Sequence, residues 1–212
     1  ADVVVKAAPA DLDALLAANY PNTDKTVGEM IPEKVLVIGE NLKVRRFARY
    51  ATGVTVPYIH MAGRIGVLVN MEVEGIDAAA VTELGKDLCM QVAAMNPSFC
   101  DKADVDQTIL DKEKEIQLAL MDNDPKMASK PLQVKEKIVL GKMSKYYEEN
   151  CLMQMEFVKE KGVSVEQHVA AVAKELGKIS VKSFVRFERG EGIEKKQEDF
   201  AAEVAAQMNM GK

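Results

Sequence analysis

The sequence predicts an α+β protein: two small lobes of antiparallel sheet flanked by helices, with a protruding antiparallel coiled-coil hairpin. Three observations carry this expectation. From Ile65 to Val73 apolar and other residues alternate strictly, the period of a half-buried strand. From Ala78 to Met95 the apolar positions Val81, Leu84, Leu88 and Val92 recur at helical spacing and stop at Asn96-Pro97. From Asp104 onward two narrow-striped, charge-rich helical patterns flank the turn Asn123-Asp124-Pro125-Lys126, the signature of a helical hairpin.

The remaining elements follow in chain order. Pro9 to Ala18 reads as a helix with Leu12, Leu15 and Leu16 on one face, ended by turn chemistry at Asn19 to Asp24. Thr26 and Glu29 form a capping box for a second helix to Ile38, and Gly39 stops it. Leu42 to Tyr50 and Val54 to Met61 read as two further strands, separated by Gly53, so that with Ile65–Val73 they suggest a three-stranded meander. In the hairpin the stripes are Val105, Ile109, Ile116 and Leu120, then Leu132, Val139, Met143 and Tyr146. Ser164 to Leu176 is a capped helix ended by Gly177, Val181 to Glu188 a strand, and Gln197 to Met208 an amphipathic closing helix. A helix–Gly–strand unit ending Arg46-Phe47-Ala48-Arg49 is mirrored by one ending Arg186-Phe187-Glu188-Arg189, which suits two related lobes.

Composition narrows the function. At roughly 150 residues per domain, the 212 residues allow one or two domains, and 48% hydrophobic with 29% charged is globular. The net charge of −5 and the lack of a dense basic run argue against direct nucleic-acid binding. No stretch is long and apolar enough to cross a bilayer, and the first residues lack the basic and apolar segments of an export signal. Three cysteines without a CxxC pair fit a reducing, cytoplasmic setting and argue against structural zinc.

Enzyme motifs are absent from the string. Gly141-Lys142 lacks the upstream glycine of a phosphate-binding loop, Gly190-Glu191-Gly192 lacks the third glycine of a dinucleotide fingerprint, and neither GxSxG nor HExxH occurs. His168 sits in an amphipathic helix, and Cys151 in an apolar run where a thiol is inert. Glu188 and Glu191 read as a solvated face. His60, at a strand end before Gly63-Arg64, is the histidine best placed to act, although no nucleophile stands beside it. Such a chain is expected to act on another protein, with no cofactor and no metal.

Longer strings then become recognisable: Ile38-Gly39-Glu40-Asn41 followed by Arg45-Arg46-Phe47; Tyr58-Ile59-His60-Met61-Ala62-Gly63-Arg64-Ile65-Gly66-Val67-Leu68-Val69; Met95-Asn96-Pro97; Phe184-Val185-Arg186-Phe187-Glu188 with Gly190-Glu191-Gly192-Ile193-Glu194; and Asp199-Phe200-Ala201-Ala202-Glu203-Val204. In order and spacing the chain resembles bacterial elongation factor Ts from about Thr26 to Gln207. That resemblance implies a cytoplasmic guanine nucleotide exchange factor for the GTPase elongation factor Tu, promoting GDP release by displacing magnesium and phosphate contacts.

It also implies a division into a truncated first core subdomain (1–56), a second core subdomain in two parts (57–103 and 150–193), the coiled-coil hairpin (104–149) and a C-terminal helical module (194–212). The family's N-terminal three-helix domain and Thr-Asp-Phe-Val segment have no counterpart in the sequence, so the chain reads as starting inside the first subdomain. Carried across by position, the partner-binding residues are Ile38, Gly39 and Asn41 in one turn and His60, Gly63 and Arg64 in another. The competing readings are a structural protein dimerising through its sheet and hairpin, and a fragment that binds with little exchange activity.

Overall fold

The computed structural model describes residues 1–193. The expected helix from Gln197 to Met208, with the 194–212 module, lies outside the described residues. Three short helices open the chain: α1 (Asp2–Ala7), α2 (Leu12–Ala17) and α3 (Val27–Ile38). The Thr26–Glu29 capping box forms as the sequence predicts, with the Thr26 hydroxyl accepting from the Glu29 amide at 3.2 Å and the Glu29 carboxylate accepting from the Thr26 amide at 2.7 Å. That backbone hydrogen bond is the chief reason the Glu29 carboxyl is held below its ordinary pKa.

The sheet is three-stranded and antiparallel in the order β1 (Val54–His60), β2 (Ile65–Glu74), β3 (Lys178–Glu188). The meander is therefore corrected. Its third strand is β3, which returns along the free edge of β2, and Leu42–Tyr50 is not a strand. Residues 41–51 make no backbone hydrogen bond to another segment among the described residues. Val44 and Phe47 share a groove with Leu15 of α2 and Val27 of α3. The described residues thus hold one sheet, where two lobes of sheet were expected.

Side chains anchor this extended segment instead. The Arg46 guanidinium lies 4.3 Å from the centre of the Phe187 ring and donates to the Arg186 carbonyl at 3.0 Å. Both Arg45 and Arg46 pair with Glu191, at 2.9 and 2.6 Å. The two Arg-Phe strings that mirror each other in sequence thus meet in space.

Val56, Val67, Val69 and Met71 turn one face of the sheet inward onto α4 (Thr82–Met95), which follows a 3-10 turn at Ala78–Val81. Leu84, Leu88, Cys89 and Val92 complete that layer. The helix comes close because Gly85 faces the sheet, where a Cβ would collide with the Val56 side chain. Gln91 is fully buried, yet its amide accepts from Val158 N at 2.8 Å and donates to the Glu156 carbonyl at 3.0 Å, so no polar group is stranded.

The chain leaves this body near Cys100 and returns at Cys151, and the two passes are stitched by Leu152 N to Phe99 O and Met153 N to Cys100 O. Between them lie α5 (Gln107–Asn123), the short α6 (Pro125–Ala128) in place of the expected loop, and α7 (Leu132–Asn150). Lys135 pairs with Asp122 at 2.6 Å and Lys142 with Gln117 at 2.7 Å, a register that sets α5 and α7 antiparallel. The α7 stripe is as predicted at Val139, Met143 and Tyr146, but Leu132 is exposed. On α5 a neighbouring stripe is the buried one: Leu110, Leu118 and Met121 pack inward, while Ile109, Ile116 and Leu120 face solvent. Val105 is buried, but ahead of the helix. Last come α8 (Val165–Leu176) and β3, and Val165 and Val169 join the main core. Met155 is buried within the same body.

Candidate functional site

Two turns carry the residues singled out by the sequence. The first closes α3. Gly39 adopts a left-handed conformation (φ 78°), and its N–H reaches the Val35 carbonyl at 2.8 Å, ending the helix. The three apolar residues before it face solvent: Leu36 is 85% exposed, Val37 84% and Ile38 56%. Ile38 is therefore not a core residue. Asn41, just beyond, begins the extended segment.

The second turn joins β1 to β2. Met61, Ala62 and Gly63 are all left-handed, with φ of 48°, 52° and 90°. For the two non-glycine residues this costs about 1–2 kcal/mol each. The turn closes by Arg64 N to Met61 O at 3.2 Å, and Arg64 O accepts from Arg189 N at 2.8 Å. Ile59 and Met61, on either side of His60, are 67% and 61% exposed.

His60 itself is half-buried and pairs in register with Ile65, which pairs with Glu188. Its Nδ1 lies 3.0 Å from the hydroxyl of Tyr58, two residues back on the same face of β1. Glu188 takes Arg186 at 2.8 Å and Arg64 at 3.5 Å, so the sheet end carries a charged network. Gly63 and Arg64 thus share one turn with His60. Ile38, Gly39 and Asn41 lie at the other, and among the described residues no hydrogen bond or ion pair joins the two groups. Sequence reasoning missed Leu36, Val37, Ile59 and Met61. For Leu36 and Val37 the signal is that α3 is apolar on every side at its C-terminal end, more than one buried face can use.

The other reactive groups are spent on structure. His168 stacks on Phe157 with ring centres 4.1 Å apart. All three cysteines are buried and free. Desolvation pushes the Cys89 and Cys100 thiols up to about 12 and that of Cys151 to about 11. At pH 8 all three should therefore resist alkylation in the native protein and react on adding denaturant. Rapid native labelling of Cys151, followed by mass spectrometry, would contradict its burial.

Exposed apolar side chains thus lie beside a strained turn and a half-buried histidine. The elongation factor TS family model matches residues 1–191, and the chain belongs to that family. Proteins of this family are nucleotide exchange factors in translation and do no covalent chemistry. It is 41% identical over 209 residues to elongation factor Ts of Syntrophotalea carbinolica, covering 97% of this chain and 68% of that protein. It is 45% identical over 204 residues to that of Clostridium botulinum, covering 94% and 65%. With the Clostridium kluyveri protein the identity is 46% over 201 residues, covering 93% and 64%. The chain thus spans about two thirds of the length of these relatives. No helix among the described residues is long and apolar enough to cross a membrane.

Proposed function

We propose that this chain is a cytoplasmic exchange factor that binds elongation factor Tu and promotes GDP release by displacing its magnesium and phosphate contacts. The observation that carries the reading is the β1–β2 turn, where three consecutive left-handed residues follow His60 and its sequence neighbours Ile59 and Met61 are exposed. The exposed end of α3 at Leu36, Val37 and Ile38 supplies a second contact. Gly39 and Asn41 shape that one, Gly63 and Arg64 the first. The division into 1–56, 57–103 with 150–193, the coiled-coil arm 104–149 and 194–212 belongs to the same proposal.

The free-energy logic needs no covalent step. A factor that prefers the empty GTPase is, by linkage, weakened by nucleotide in the same ratio. Each tenfold in that ratio corresponds to about 1.4 kcal/mol, so two separate contacts serve better than one. Mixed with elongation factor Tu loaded with fluorescent GDP, the chain should accelerate release, and excess GDP should dissociate the complex. Unchanged release together with equal affinity for empty and GDP-filled elongation factor Tu would sink the reading. A complex indifferent to GDP would mark a structural partner instead.

A further inference from the structure

We propose that Tyr58 is a positioning residue that fixes the tautomer of His60, so that the ring presents its Nε2–H as a hydrogen-bond donor to an acceptor on the docked GTPase. The proposal rests on the functional reading above for the identity of that partner.

The two groups are 3.0 Å apart, from the Tyr58 hydroxyl to His60 Nδ1, with ring centres 5.8 Å apart. Tyr58 is anchored. It pairs in register with buried Val67, and its ring packs against the main core. Its hydroxyl reaches His60, which is the next residue along the strand on the same face.

Two arrangements satisfy a 3.0 Å bond in the neutral ring. If Nδ1 carried the proton, the Tyr58 oxygen would accept, and the hydroxyl proton would need a second acceptor. Among the described residues Tyr58 makes no hydrogen bond except the one to His60. Leaving a half-buried donor without a partner is the costlier choice. With Tyr58 donating to Nδ1 instead, the hydroxyl and Nδ1 are both paired and only the Nε2–H stays open, whereas the first arrangement leaves both the hydroxyl proton and the Nε2 lone pair open.

Nε2 makes no hydrogen bond among the described residues. It therefore offers an oriented N–H at the end of β1, on the face it shares with Tyr58. The charged groups at this end of the sheet, Arg186, Glu188 and Arg64, bond to one another rather than to the imidazole. A carbonyl or carboxylate oxygen is the partner chemistry this donor recognises. The strained Met61-Ala62-Gly63 turn sets where the strand ends, and Tyr58 sets which nitrogen faces outward.

The test uses the full 212-residue chain, its histidines labelled with nitrogen-15, in alkaline buffer where imidazoles are ordinarily neutral. Two-bond proton–nitrogen spectra, with His60→Ala assigning the signals, should show His60 protonated at Nε2 and bare at Nδ1. Tyr58→Phe keeps the ring packing and should shift His60 toward a mixture of tautomers with an unchanged melting curve. It should also weaken binding to nucleotide-free elongation factor Tu by about fivefold, the worth of one hydrogen bond. Combined with His60→Ala, it should cost nothing further.

A His60 ring protonated at Nδ1, a tautomer indifferent to Tyr58→Phe, or additive losses in the double variant would overturn the proposal. The spectra need no partner. Absence of any binding would therefore fell the functional reading while the tautomer assignment is judged separately.

Discussion

His60→Ala should reduce affinity for nucleotide-free elongation factor Tu by about 2 kcal/mol, roughly thirtyfold, the cost of truncating a central interface anchor. The melting temperature should stay near that of the parent, because the half-buried ring caps the end of the sheet rather than filling its core. Isothermal titration with the stripped GTPase reads the first quantity, and a thermal scan of the free chain reads the second. Unaltered affinity would remove His60 from the interface. A large fall in melting temperature would mean that its role is structural.

Leu88→Ala should act in the opposite way. Leu88 is completely buried where α4 meets Val56 and Met71 of the sheet, and the close approach at Gly85 leaves little room for the backbone to collapse into a hole. The loss should be about 3 kcal/mol, within the range for buried leucines in tight cores. For a chain of this length that lowers the melting temperature by roughly 6–12 °C. Leu36→Ala removes the same side chain from a position that is 85% exposed, so it should leave the melt unmoved while weakening the complex. Equal effects of the two substitutions on stability would contradict the assignment of α3's end to a surface.

Features governed by neighbouring residues were legible in the sequence. The Thr26–Glu29 box, the Gly39 stop, the alternation through β2 and the end of α4 at Met95 depend on local hydrogen bonds and local periodicity, and each appears where it is expected. Features settled by distant partners were not. Leu42–Tyr50 has strand-like residues, but among the described residues its backbone pairs with no other segment, and nothing in its own composition reveals that. The pairing of β2 with β3 joins Ile65 to Glu188, a closure that no local pattern encodes.

On α5, Ile109, Ile116 and Leu120 form as regular an apolar stripe as Leu110, Leu118 and Met121. Only the position of α7 decides which one is buried. At the candidate site, His60 could be singled out because it follows a strand and precedes Gly63. Leu36 and Val37 could not, since a buried and an exposed apolar residue are spelled alike.

The α5–α7 arm is held by a separate small cluster, Met121, Val139 and Met143, with Lys135 fixed at its tip, and among the described residues the backbone bonds that tie it to the body lie around Cys100 and Cys151. With so little apolar surface shared between them, its outer turns can unzip and reclose while the sheet remains intact. The protein therefore carries two tiers of cooperativity in one chain: a durable platform, and an appendage that breathes on its own clock.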